Sequence, residues 1–215
     1  GCGQPQPQPF ADGTKVMFGG DTHFGENYDR TQTGETRPDA PDDALRYGAS
    51  LAALKPYVAQ SDFALVNLET PMSPELSDGI RDKDYVHWSV PAKAVPALVD
   101  TGIDAVDLGN NHSLDQGESG LRKSLVALRD AGIRVFGANT SQATAQLPLI
   151  QAVKRPGGGT VTLAVFGMLE ERPAYRDKYG FYAEPGKAGV APFDIAAFRS
   201  QVEQLHQRHK DLYVV

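Results

Sequence analysis

Cysteine is almost missing from this sequence. Cys2 is the only one, so no intramolecular disulfide can form and the fold must rest on its apolar core. No run of 18 apolar residues occurs, which excludes a membrane-spanning helix on length. Basic clusters are lacking too: the longest run, Arg208–His209–Lys210, is short, and 21 Lys and Arg stand against 27 Asp and Glu for a net charge of −6. Neutralising nucleic-acid phosphates needs clustered Lys and Arg, so no nucleic-acid partner is expected. What is present is apolar residue in quantity. At 40% of 215 residues it suffices for one core or two small ones.

The first 13 residues read as a tether, with Gly-Cys at positions 1 and 2 and then alternating Gln and Pro. This start resembles the mature end of a bacterial lipoprotein, in which the cysteine carries the lipid; an expression scar before a disordered end is the alternative. Proline fixes φ and favours an extended polyproline II spacer, which suits a tether. The expectation is a membrane anchor through Cys2 at the bacterial cell envelope, outside the cytoplasm. The domain proper then spans 14–215.

Within that domain apolar runs alternate with helical patterns, the mark of an α/β fold with a largely parallel sheet. KVMFGG (15–20) reads as a first strand, 21–43 as a long loop, and LRYGASLAALKPYV (45–58) as helical. Loops of that length in compact domains are usually functional or mobile. FALVNLE (63–69), IDAVDLGN (103–110) and IRVFGAN (133–139) read as further strands, and VPALVDTG (95–102) as a short helix. ESGLRKSLVALRDAG (118–132) is an amphipathic helix with Leu121, Leu125 and Leu128 on one face and Gly132 closing it. PLIQAVKR and TVTLAVFGM flank Pro-Gly-Gly-Gly as a hairpin. Residues 192–210 read as a helix with a proline at its start, and DLYVV as a strand. No internal repeat is found. The last strand coincides with the end of the sequence, so the domain is expected to be incomplete at its C-terminal part.

Three successive strands end in residues of metal-ligand type: Asp21 and His23, then Asn67 and Glu69, then Asn110, Asn111 and His112. In an open parallel sheet, ligands bind at the carboxyl ends of the strands, so the three clusters are expected to converge. Carboxylate, imidazole and amide oxygen together suit one or two divalent transition-metal ions, Mn, Zn or Fe. Asp21 and His23 lie two apart on an extended segment and point to the same side. Each also has a plainer explanation: Asp21 as a turn former, His23 as a solvated loop histidine, Glu69 as a strand-end charge. Asp115 suits the cap of the following helix better than a ligand role. His206 and His209 fall on a polar helical stretch and read as surface residues. His87, in DYVHWSVP, reads as packed beside Trp88.

GGDTHFG, VNLETP, YVHWSVP and GIDAVDLGNNHSLDQGESGL resemble the successive motifs of the CapA proteins, named for poly-γ-glutamate capsule synthesis and related to the calcineurin-like metallophosphatases. The resemblance runs from about residue 15 to the end, and NNHSLDQG is its most specific piece. It implies a four-layer α/β/β/α sandwich. By match, Asp21 and His23 correspond to the phosphoesterase Asp-x-His pair, Glu69 to the bridging carboxylate, Asn111 to a metal ligand, and His112 to the catalytic residue that protonates the leaving group. Many relatives carry an apolar residue in place of His23. The family pattern continues into a His-x-Gly segment that would complete the metal site, and the sequence ends at Val215 before it.

The resemblance implies a cell-envelope protein of poly-γ-glutamate synthesis or processing, with a metal-dependent hydrolase-like site. Its substrate would be that polymer, another anionic polymer or a phosphoester. A plain metal-dependent phosphoesterase and a non-catalytic polymer assembly or export factor are the alternatives.

Overall fold

A computed structural model describes residues 13–24, 44–75, 82–83 and 86–215, with 44–46 described by backbone alone. Cys2, nearly all of the expected tether and most of the 21–43 loop lie outside the described residues.

Four strands form the central sheet in the order β1 (Val16–Thr22), β2 (Phe63–Leu68), β3 (Ala105–Asp107) and β4 (Arg134–Phe136), all parallel. Successive residues of a strand face opposite sides, and β2 shows both sides to be apolar. Ala64, Val66 and Leu68 pack toward α1 (Ala44–Leu51), α3 (Pro91–Thr101) and α4 (Gly117–Asp130), against Leu51, Leu98, Leu121, Leu125 and Leu128. A short 3₁₀ turn (Ala52–Leu54) and α2 (Lys55–Val58) continue from α1. Phe63 and Leu65 point the other way, with Ala105 and Phe136, onto a second sheet.

That second sheet has the order β6 (Leu149–Lys154), β7 (Thr160–Val165), β9 (Leu212–Val214). β6 and β7 form the expected antiparallel hairpin, and β9 joins β7 in parallel. Leu149, Val153, Val161, Leu163 and Val165 supply its side of the inter-sheet core. On its outer side lies α6 (Ile195–Arg208), whose half-buried stripe of Ala197, Phe198, Gln201, Val202 and Leu205 has helical spacing. Phe198 meets Phe166 edge to face, with ring centroids 4.9 Å apart. The layers are therefore helix, sheet, sheet, helix, a metallophosphatase-like α/β/β/α sandwich. Full burial of a side chain such as Leu98 contributes roughly 1.5–3 kcal/mol, so the two clusters supply the main stabilisation.

Several element boundaries differ from the sequence expectation. The stretch 133–139 is two strands, because Gly137 turns the chain at φ 80°. β4 ends before it, and β5 (Ala138–Asn139) pairs instead with β8 (Gly189–Val190). A single-turn α5 (Gln142–Ala145) follows β5. Pro192 does not start α6. Asp194 caps it, accepting from Ala196 N at 2.9 Å and Ala197 N at 3.1 Å, which satisfies two otherwise orphan N–H groups. The β6–β7 turn carries Gly157, Gly158 and Gly159, all at positive φ, with nothing within 4 Å of where a Cβ would sit. Thr14 Oγ1 donates to Lys154 O beside this turn, which places it at the amino end of β1.

Candidate metal centre

The carboxyl ends of β1, β2 and β3 meet as the strand logic requires. A bulge at Gly20 breaks the β1–β2 register between Gly19 and Asp21 and sets Asp21 opposite Asn67. Gly19 is needed there, since a Cβ would lie 2.7 Å from Val66 Cγ1. Asn67 Nδ2 then donates to Asp21 Oδ1 at 2.8 Å and to Glu69 Oε1 at 3.1 Å, tying two carboxylates together. Asn110 Nδ2 donates to Asn67 Oδ1 (2.9 Å) and to Leu68 O (3.0 Å), while its Oδ1 accepts from His112 N (3.0 Å) and Ser113 Oγ (3.2 Å). The amides of Asn67 and Asn110 are thus engaged in holding the strand ends together. Asn111 contributes its carbonyl, which accepts from Lys83 Nζ at 2.6 Å.

Three imidazoles stack at this point. His87 lies between His23 (centroids 4.7 Å apart) and His112 (3.7 Å apart, planes within 8°). His87 is 4% exposed and does not pack on Trp88, because successive residues of an extended segment face opposite ways. Trp88 Nε1 donates to Ser73 O at 2.9 Å instead. Ser89 N donates to Pro71 O and Ser73 N to Ser89 O, each at 3.0 Å, pinning this segment alongside the end of β2. His87 is the residue that sequence reasoning missed. Its signal was the period-2 alternation of VHWSV, which separates it from the tryptophan and aims it at the strand ends.

Ring partners fix the histidine tautomers. His87 Nδ1 lies 2.5 Å from Glu69 O, and a carbonyl only accepts, so Nδ1 carries the proton. His112 Nδ1 lies 2.7 Å from Asp115 Oδ2, giving the same tautomer. Both rings therefore leave Nε2 as a bare lone pair. Asp115 is fully buried and is not the helix cap expected of it. Gln116 occupies that position without a side-chain cap bond, and the Asp115 carboxylate instead accepts from His87 N (2.6 Å), His112 Nδ1 and Lys83 Nζ.

Burial, and next the neighbouring His112, push the His87 pKa down from 6.5 to about 4, so its ring is neutral at pH 7. Burial also lowers Lys83, opposed by the adjacent Asp115. At the end of β3, Asp107 is raised from 3.8 to about 6 by burial, opposed by the Gly109 N–H at 2.7 Å. Part of Asp107 reaches solvent, but its Oδ1 is enclosed by Gly109, Gly137 and Gly167, where a Cβ would come within 3.0, 2.2 and 2.1 Å of it.

These two shifts predict opposed pH dependences. The folded protein holds a proton on Asp107 that the unfolded chain releases near 3.8, so that contribution to stability is full below pH 4 and lost as pH rises to about 6. His87 is the reverse: its contribution is present above pH 6.5 and lost as pH falls toward 4. At about 1.4 kcal/mol per pKa unit each amounts to roughly 3 kcal/mol. Urea midpoints across pH 4–6.5 should rise relative to wild type with increasing pH in Asp107→Asn and fall in His87→Phe. Parallel curves for all three proteins would refute both assignments.

The donor set fits a divalent cation. Glu69, His87 and His112 place one ligand atom each within 4.8 Å of one another, one carboxylate and two imidazoles, with both rings held from behind at Nδ1. Of the residues expected from sequence, Glu69 and His112 belong to this triad. His23 stacks on its outer ring, Asp21 is linked to it through Asn67, and Asn111 joins through its carbonyl.

Comparison with known proteins gives a consistent picture. The sequence profile of the bacterial capsule synthesis protein family PGA_cap matches residues 15–215. A Mycobacterium tuberculosis protein named "probable polyglutamine synthesis accessory protein" is 30% identical over 213 residues, covering 85% of this chain and 54% of that protein. The Bacillus subtilis PGA biosynthesis protein CapA is 23% identical over 212 residues, covering 98% of this chain and 50% of its own length. The Bacillus anthracis capsule biosynthesis protein CapA is 29% identical over 96 residues, 43% of this chain and 23% of its own. The chain thus spans about half the length of the first curated relatives it matches.

Proposed function

The chain belongs to the PGA_cap family of bacterial capsule synthesis proteins, and from that membership we propose that it acts at the cell envelope in poly-γ-glutamate synthesis or processing through a metal-dependent hydrolase-like site. The observation that carries the catalytic half of this proposal is the triad Glu69–His87–His112 at the carboxyl ends of a parallel sheet. Among the described residues no helix is long and apolar enough to cross a membrane.

Glu69, His87 and His112 would hold the cation, with Asp21 and His23 beside them. Mn, Zn or Fe matches these ligand types. When bound, such an ion supplies Lewis acidity toward a carbonyl or phosphoryl oxygen and a water nucleophile at neutral pH. The protein's own contribution is positional. Asn67 and Asn110 set the spacing of the carboxylates, and the stacked rings exclude water from one side. His112 keeps Nε2 bare for the cation, while Asp115 across the ring accepts from Nδ1–H and balances the charge. The electrophile would be a γ-glutamyl carbonyl of poly-γ-glutamate or an equivalent group of another anionic polymer. A phosphoester is the second reading, favoured by the Asp21-x-His23 pair ending β1.

Two measurements test this. Elemental analysis should find a divalent transition metal in the purified protein, lost in Glu69→Ala and His87→Ala. Release of glutamate from poly-γ-glutamate should be lost together with the metal in His112→Ala. Metal-free protein with no glutamate release, together with capsule formation that tolerates His112→Ala, would leave a non-catalytic assembly or export factor. Turnover of an aryl phosphate alone would transfer the assignment to a phosphoesterase.

A further inference from the structure

Lys83 is absent from every motif that carries the family resemblance, yet its side chain is only 9% exposed and its ammonium lies inside the site. Its Nζ donates to Asn111 O at 2.6 Å and to Asp115 Oδ1, and lies 3.2 Å from His112 Nδ1. All three partners belong to the single segment Asn111–Asp115. An ammonium has three N–H groups; the two oxygens accept from it, while the nearby His112 Nδ1 carries its own proton toward Asp115. Lys83 thus faces the back of His112 rather than its Nε2.

We propose that Lys83 is a positioning residue: it clamps the Asp115 carboxylate and the Asn111 carbonyl so that His112 keeps the Nδ1–H tautomer and turns a bare Nε2 to the site. Two donors compete for the same geometry, and the distances decide between them. At 2.7 Å from a carboxylate oxygen, a bare Nδ1 would set two lone pairs against each other; Nδ1–H makes a hydrogen bond instead. Lys83 supports that arrangement by taking the other carboxylate oxygen and supplying the counter-charge a buried carboxylate requires. The lysine is itself held from two sides. Its ammonium lies 5.4 Å from the centroid of the Phe181 ring. The carbonyl of the preceding residue, Asp82, at φ 62°, accepts from Lys178 Nζ (3.2 Å) and Tyr179 Oη (3.3 Å). The segment around residues 174–181 thereby reaches the site through Lys83, although it contributes no side chain to the triad.

The inference rests on the reading that His112 faces the functional site, and its test keeps the two separable. Imidazole ¹⁵N shifts of His112 should report a single Nδ1–H tautomer in the wild-type chain and a mixture of tautomers in Lys83→Met. Affinity for Mn²⁺ or Zn²⁺, each titrated alone, should fall about 10–100-fold in the same variant. Because Lys83→Met leaves a buried carboxylate uncompensated, the double variant Lys83→Met/Asp115→Asn, which removes both charges, serves as the folded control and should keep the mixed tautomer. An unchanged tautomer in folded Lys83→Met, or in the double variant, would overturn the proposal. A tautomer shift in Lys83→Met, with a wild-type chain that binds neither metal, would sustain the role of Lys83 and sink the metal-dependent reading instead.

Discussion

Asp115→Ala should lower the stability of this protein by about 3–5 kcal/mol, the range for breaking one side of a buried ion pair. The size follows from what the carboxylate leaves behind. The Lys83 ammonium, the His87 backbone N–H and the His112 ring N–H all donate to it, and the carboxylate itself has no solvent exposure. In a chain of this length 1 kcal/mol corresponds to about 2–4 °C, so the melting midpoint should drop by about 6–20 °C. Asp115→Asn should cost less, since an amide keeps the shape and one acceptor oxygen. Thermal melts of both variants check this. A loss under about 1 kcal/mol for Asp115→Ala would mean that the three donors find other partners and that Asp115 does not hold the site. The same variant should lose bound metal, because His112 loses the group that sets its tautomer.

Gly137→Ala carries the second large effect, and for a different reason. A Cβ there would lie 2.2 Å from Asp107 Oδ1, 2.5 Å from Gly109 N and 2.8 Å from Gly109 Cα, and the backbone is at φ 80°. The left-handed backbone alone costs about 1–2 kcal/mol, and forcing atoms into a packed site about 1–3 more. The sum of roughly 2–5 kcal/mol should appear as a fall in the urea midpoint with an unchanged m-value. Gly157→Ala separates the two contributions: its φ is 87° but nothing lies within 4 Å, so it should cost only the backbone part. Equal losses in the two variants would show that the enclosure of Asp107 is not tight.

The sequence was most legible where one force dominated. The parallel sheet, the β6–β7 hairpin and α4 follow from apolar periodicity and glycine punctuation, and each is present. Convergence of Asp21, Asn67, Glu69, Asn110 and His112 followed from topology, because parallel strands put their carboxyl ends on one edge. What stayed hidden depended on contacts far apart in the chain. Asp115 has the local signature of a helix cap, and only the approach of Lys83 and His87, 32 and 28 positions away, turns it into the anchor of the site. His87 sits in an extended segment whose neighbour is decided by strand pairing between Met72 and Ser89, which no local pattern announces. The division of 133–139 into two strands rested on the single positive φ at Gly137.

The triple-glycine turn between β6 and β7 has a practical consequence. It lies beside the amino end of β1, whereas the histidine stack lies beyond the carboxyl end of the same strand, so the two occupy opposite poles of the sandwich. Its glycines have open space around them, and exposed turns of small residues are where a chain best accepts added sequence. An affinity tag, a fluorophore or a surface linker placed within Gly157–Gly159 would leave the chemical pole facing outward. That gives the protein a handle for immobilisation that leaves the histidine stack unobstructed.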